Sequence, residues 1–168
     1  MGLFLERAHT SMQSPASTFE KHISLTAAAE RDFEALLDIR IEAMRESLER
    51  IGRFDPARAR ERFRAGFSAE HTRHIEIARK RVGFVAVKPL AEYLLLDHLY
   101  IHPNTQGKCI GSAVLARVIA EANIKGLPVR VGALRESDSN RFYVRHGFVL
   151  VEQSEFDNYY VRTGKNAL

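Results

Sequence analysis

The spacing of apolar residues changes period several times along the chain, and each change marks an element. Over residues 22–26 polar and apolar positions alternate, as in a strand with one buried face. Residues 27–51 then take helical spacing, with Phe33, Leu36, Leu37, Ile41, Met44 and Leu48 recurring three or four apart. Gly52-Arg53-Phe54-Asp55-Pro56 breaks that run. Asp55-Pro56 suits the N-cap and first turn of a second helix over residues 56–67. Strands are predicted over residues 74–78, 82–89 and 93–101. A long helix over residues 113–124 puts Val114, Leu115, Val118, Ile119 and Ala122 on one face and stops at Lys125-Gly126-Leu127-Pro128. A short buried strand over residues 129–133 and a short helix over residues 137–146, ended by Gly147, come next. Strands over residues 148–153 and 156–162 close the chain as a hairpin. The order β-α-α-β-β-β-α-β-α-β-β is that of an α/β (α+β) domain.

Composition narrows this picture without changing it. A chain of 168 residues is expected to hold one domain, over residues 22–163. Residues 1–21 read as a loosely ordered N-terminal extension and residues 164–168 as a tail. Net charge is +4, from 25 Lys and Arg against 21 Asp and Glu, mixed in sign along the chain. Such a balance fits an anionic small ligand and does not argue for nucleic acid. The densest basic cluster, Arg79-Lys80-Arg81, lies between two strands and reads as a solvated hairpin turn. No apolar stretch approaches the ~20 residues that span a bilayer, so no membrane partner is expected. A single cysteine, Cys109, excludes an intramolecular disulfide and a cysteine-based zinc site, and fits a reducing, cytoplasmic setting. The seven histidines are scattered and imply no metal.

Candidate chemistry begins where the strand over residues 93–101 passes through His102-Pro103-Asn104 into Gln106-Gly107-Lys108-Cys109-Ile110-Gly111-Ser112 and a helix. A strand ending in a turn of small residues that launches a helix aims several free backbone N–H groups at one point, and that arrangement binds phosphate or another anion. A mononucleotide P-loop is excluded: His102 stands where its first glycine is needed, and Cys109 where Ser or Thr must follow the lysine. The dinucleotide pattern G-x-G-x-x-G is absent as well.

Gln106, Cys109 and Gly111 form Q-x-x-C-x-G, which resembles the pyrophosphate loop of the GNAT superfamily of acyl-CoA N-acyltransferases, Q/R-x-x-G-x-G/A, with Cys109 in place of the first glycine. A second stretch adds to the resemblance. Tyr143 lies on a short helix and is followed four residues later by Gly147-Phe148, as in the family's other signature. The likeness runs from about His22 to Arg162.

The resemblance implies a mixed, mostly antiparallel sheet whose fourth and fifth strands splay apart, flanked by helices. Acetyl-CoA, as cosubstrate and with no metal, would lie in the resulting V. Backbone groups around Leu99, Tyr100 and Ile101 would bind the pantetheine arm and the acetyl carbonyl. Gln106, Gly107, Lys108, Cys109, Ile110, Gly111 and Ser112 would hold the pyrophosphate. The implied reaction is direct attack of a primary amine, on a small molecule or a peptide, with Tyr143 as general acid for the leaving thiol. Asp97, His98 and Glu46 are candidate bases, and none is assigned. Glu136 stands where many relatives carry an Asn that touches CoA. Helical dihedrals are expected to suit Cys109, and its place at a helix start to make it reactive. Residues 40–67 and 154–158 would flank the acceptor, with Glu46, Glu49 and Asp55 available to draw a cationic amine. Homodimerisation stays open. The alternative is an acyl-CoA-binding sensor without turnover, favoured by Cys109 and the unassigned base.

Overall fold

Seven strands pair into one sheet in the order β1-β2-β3-β4-β5-β7-β6 in a computed structural model that describes residues 22–164. The extension expected over residues 1–21, and residues 165–168, lie outside the described residues. The strands are β1 (Ile23–Ala27), β2 (Thr72–Ile77), β3 (Lys80–Pro89), β4 (Leu94–Ile101), β5 (Val129–Leu134), β6 (Val149–Gln153) and β7 (Asp157–Arg162). The helices are α1 (Phe33–Arg50), α2 (Pro56–Gly66), α3 (Ile110–Lys125) and α4 (Ser139–Arg145). Every neighbouring pair is antiparallel except β4 and β5, so the expected mixed sheet is the observed one. Among the described residues no helix is long and apolar enough to cross a membrane.

Alternation along β3 divides the core into two layers. Phe84 points to one face and packs with Phe33, Leu36, Leu37 and Phe63, so α1 and α2 cover that face with aromatic rings. Val85 and Val87 point to the other, where α3 buries Val114, Leu115 and Val118 in a mainly aliphatic layer. Each such side chain contributes roughly 1.5–3 kcal/mol when fully buried.

The first helix starts later than its spacing predicts. Residues 27–29 stay extended because Ala28 donates its N–H to Thr72 O at 3.1 Å, alongside β2. A single 3-10 turn over residues 30–32 follows. Asp32 organises this entrance by accepting from Ala29 N (2.9 Å) and lying 3.0 Å from the buried His74 Nε2. The bond to His74, the Ala29 amide and the charges of His74 and Arg81 hold its carboxyl down at about 2. A depressed carboxyl stabilises the fold above the usual carboxylate range, and that contribution disappears as pH falls through 2. The basic turn is not wholly solvated, since Arg81 reaches Asp32 at 3.3 Å and Glu76 at 3.8 Å.

β4 and β5 pair only where Leu94–Leu96 face Val129–Val131. Beyond that point they part. A bulge causes the bend: Ala86 of β3 faces His98, the next residue Val87 faces Leu96, and Asp97 has no partner across the pair. Residues 97–101 therefore keep one edge of β4 without a neighbouring strand.

Candidate active site

The gap between β4 and β5 opens into a cavity of about 810 Å³. Leu99, Tyr100 and Ile101 line it from the free edge of β4. In an antiparallel strand the backbone N–H and C=O of alternate residues point to the same side. An edge without a partner thus leaves a row of donors and acceptors for a ligand amide.

The turn into α3 closes one end. Gly107 has φ 80°, and Gln106 pins the turn by donating from Nε2 to Ile101 O at 2.9 Å. The first intrahelical bond is Ala113 N to Cys109 O at 3.1 Å, and the N-cap residue, Cys109, offers no side-chain cap. The amides of Ile110, Gly111 and Ser112 therefore have no acceptor inside the helix, and all three residues line the cavity. Gln106, Gly107 and Cys109 line it too, whereas Lys108 is exposed and outside the lining. Cys109 corrects one expectation. Its dihedrals are φ 59° and ψ 17°, left-handed rather than helical, because the helix begins only at the next residue. A side chain in that region costs about 1 kcal/mol.

Tyr143 lines the same cavity and is 6% exposed, packed among Phe142, Phe148 and Tyr160. Burial pushes its phenol well above the usual tyrosine range. Asn140, one turn earlier on α4, fixes the helix. Its Nδ2 donates to Leu134 O, Arg135 O and Ser137 O, and its Oδ1 accepts from Asn158 Nδ2 and Tyr160 Oη. That network ties α4 to β5 and β7. A lone asparagine on a short helix carries no sequence signal of this kind, and sequence reasoning missed it. Glu136 is exposed, and its carbonyl accepts from Arg50 Nη1 at 3.1 Å.

The other end of the cavity is made of side chains from α1, α2 and the start of β7. His98 lines it with its ring against Phe63, Phe84 and Tyr100 and its Nδ1 buried without a partner. Burial drives its pKa down to about 4, with the charges of Arg40 and Lys88 adding to this and Asp97 opposing it, so the ring is neutral. Asp97 is held by Lys88 Nζ at 2.9 Å. Of the acidic residues expected to draw a cationic amine, Glu46 pairs with Arg50 at 3.2 Å and Glu49 with Arg45 at 3.7 Å. Asp55 accepts from Arg58 N at 3.1 Å as the cap of α2.

An open strand edge, an uncapped helix start and a buried tyrosine thus line one cavity of an α/β domain. The profile of the family described as acetyltransferase (GNAT) domain matches residues 68–150. Residues 68–150 thus match the GNAT acetyltransferase family, and the fold is the one that family's solved members share. Solved structures share the fold. The PaiA N-acetyltransferase of Thermoplasma acidophilum in complex with coenzyme A is 19% identical, with a TM-score of 0.70 over 84% of this chain and 99% of that one. An acetyltransferase of Thermus thermophilus is 19% identical, with a TM-score of 0.64 over 84% and 97%. The ribosomal-protein-S18-alanine N-acetyltransferase of Escherichia coli is 14% identical, with a TM-score of 0.64 over 87% and 99%. No curated protein sequence matches the chain.

Proposed function

We propose that the domain over residues 22–163 moves the acetyl group of acetyl-CoA directly to a primary amine, with Tyr143 as general acid. The observation that carries this reading is the meeting, in one cavity, of the uncapped α3 amides, the free β4 edge and Tyr143. A similar fold holds coenzyme A in the Thermoplasma acidophilum protein.

Acetyl-CoA supplies an acetyl group activated as a thioester. The amides of Ile110, Gly111 and Ser112 receive its diphosphate, with the help of the partial positive charge at a helix start. Gly107, Lys108 and Cys109 complete that loop, and Gln106 holds it to β4. The β4 edge at Leu99, Tyr100 and Ile101 pairs with the pantetheine arm and gives N–H donors to the oxygen that becomes negative during attack. Tyr143 keeps its proton throughout the neutral range because burial disfavours its anion. A departing thiolate in the same dry surroundings is destabilised as well, and it gains from the Tyr143 hydroxyl. The single free thiol, the amine substrate and this cosubstrate suit a cytoplasmic enzyme.

Two measurements test the reading. Coenzyme A at a hundred times its Kd should add about 2.7 kcal/mol of apparent stability. Thiol should then be released from acetyl-CoA in the presence of suitable amines. Stabilisation by coenzyme A with no thiol release across a broad amine panel would make the chain a sensor instead.

A further inference from the structure

Eight arginines lie between residues 40 and 64, and they divide cleanly. Arg45, Arg50, Arg60 and Arg64 each have a glutamate within 4 Å. Arg40, Arg53, Arg58 and Arg62 have no carboxylate within that distance among the described residues, and these four are the ones that line the cavity. Pairing is the rule on the outer faces of α1 and α2 and is absent on the face turned to the cavity.

The geometry of the four fits a binding role. Arg53 sits over the ring of Phe156, 3.7 Å from the guanidinium carbon to the ring centre, a contact that restrains the side chain without using its N–H donors. Arg40 donates a long bond to Ala59 O at 3.4 Å and lies beside the Tyr100 hydroxyl, and its Nε is buried with no acceptor. Arg58 and Arg62 are exposed at the mouth. The acids of this end are mostly committed: Asp55 to capping α2 and Asp97 to Lys88. Asp157, at the start of β7, is half-buried, and its carboxylate has no hydrogen bond or ion pair among the described residues. Burial pushes its pKa up, and the charges of Arg62 and Arg53 work against that rise, so these two arginines lie in its field.

Four guanidiniums thus face one uncommitted carboxylate. They come from the face covered by α1 and α2, opposite the face on which α3 packs, so they are separate from the anion-binding turn. A polyamine here would add cations to an already cationic wall, and like charges repel.

We propose that the acceptor is an amine that also bears an anionic group, carboxylate or phosphate. Arg53 and Arg62 grip the anion, Asp157 receives the ammonium, and Arg58 draws the substrate to the mouth. This rests on the acetyl-transfer reading above and names the substrate class of that site.

Matched pairs of acceptors test it on the full chain with acetyl-CoA. The panel holds the common amino acids each beside its carboxamide, O-phosphoethanolamine beside ethanolamine, short peptides with acidic or basic N-termini, and spermidine. An anionic amine should exceed its neutral partner in kcat/KM by about tenfold or more, the size of a charge-assisted contact. Which pair shows the gap tells carboxylate from phosphate and a free amine from a peptide end. Arg62→Gln, at an exposed position, should raise KM for the preferred amine and shrink the gap, with the Kd for coenzyme A unchanged. Arg53→Gln should act in the same direction. Preference for spermidine or basic peptides, or a gap untouched by both variants, overturns this proposal and leaves acetyl transfer standing. No thiol release with any member overturns both.

Discussion

In the reading proposed above, the two ends of the cavity hold a charged partner with different materials. At the α3 end the contacts are backbone amides presented by a turn of small residues, and the side chains matter chiefly by staying out of the way. At the α2 end the contacts are arginine and aspartate side chains, with Arg53 over the Phe156 ring. A backbone site is rigid because the first half of the helix that makes it is packed into the core, with Ile110, Val114, Leu115 and Val118 almost fully buried. A side-chain site is adaptable, and changing one residue can re-aim it. The comparison suggests that the first end is built for a constant cosubstrate and the second for a particular acceptor.

The sharpest way to break that contrast is to place one negative charge in the backbone site. A Cβ on Gly111 would meet only the Phe142 ring, at 3.6 Å (Cζ) and 3.8 Å (Cε2), ordinary contacts, and acidic residues suit the first turn of a helix. Gly111→Asp should therefore fold with an unchanged Tm. It should lose coenzyme A affinity by about a hundredfold or more, because an anion now faces the diphosphate. Calorimetry of the variant with coenzyme A reads this directly. Tight binding by the folded variant would mean that the α3 amides do not grip the ligand.

Tyr143→Phe probes the chemistry between the ends. Losing a positioned proton donor costs roughly a hundredfold in kcat. The ring contacts with Phe148 and Tyr160 survive the change, so stability and coenzyme A affinity should hold. A variant with the parent's kcat would remove Tyr143 from the reaction.

How much of this was legible in the sequence follows from the same contrast. The α3 end is local: Gln106 to Ser112 are contiguous, and strand, small-residue turn and helix leave their mark in one short stretch. The splayed strands followed from the family resemblance, although the bulge at Asp97 that helps part them has no signature in an apolar strand. The α2 end joins residues 40–62 to residues 156–157, far apart in the chain. Nothing in the sequence separates Arg53, in the break between two helices, or Arg62 from Arg45 or Arg60 until the fold shows which have partners. Glu46, Glu49 and Asp55 looked available for a cationic amine for the same reason, and local pairing has used them. Asn140 escaped notice because its bonds to Asn158 and Tyr160 depend on the tertiary structure, and its other three side-chain bonds go to backbone carbonyls just before α4, which carry no residue-type signature.

The smallest effect concerns Cys109, the one side chain in the backbone site that works against its conformation. At φ 59° it occupies the region glycine takes freely, and the strain is about 1 kcal/mol. Glycine also makes the unfolded chain more mobile, which offsets roughly half of the gain. Cys109→Gly should therefore raise Tm by only ~1–2 °C for a chain of this size. Cys109→Ala separates the two causes, because it keeps the strained dihedral and removes only the thiol, and should gain nothing. Removing the side chain also lets a diphosphate approach more closely, so coenzyme A should bind the glycine variant at least as tightly as the parent. Alkylating the exposed thiol of the parent should weaken that binding, and the same reagent should do nothing to the glycine variant. Acceptor KM should not move in any of these, since the arginines lie at the other end. A glycine variant less stable than the alanine one would show that the turn does not need the left-handed conformation, and a shift in acceptor KM would show that the two ends are not independent.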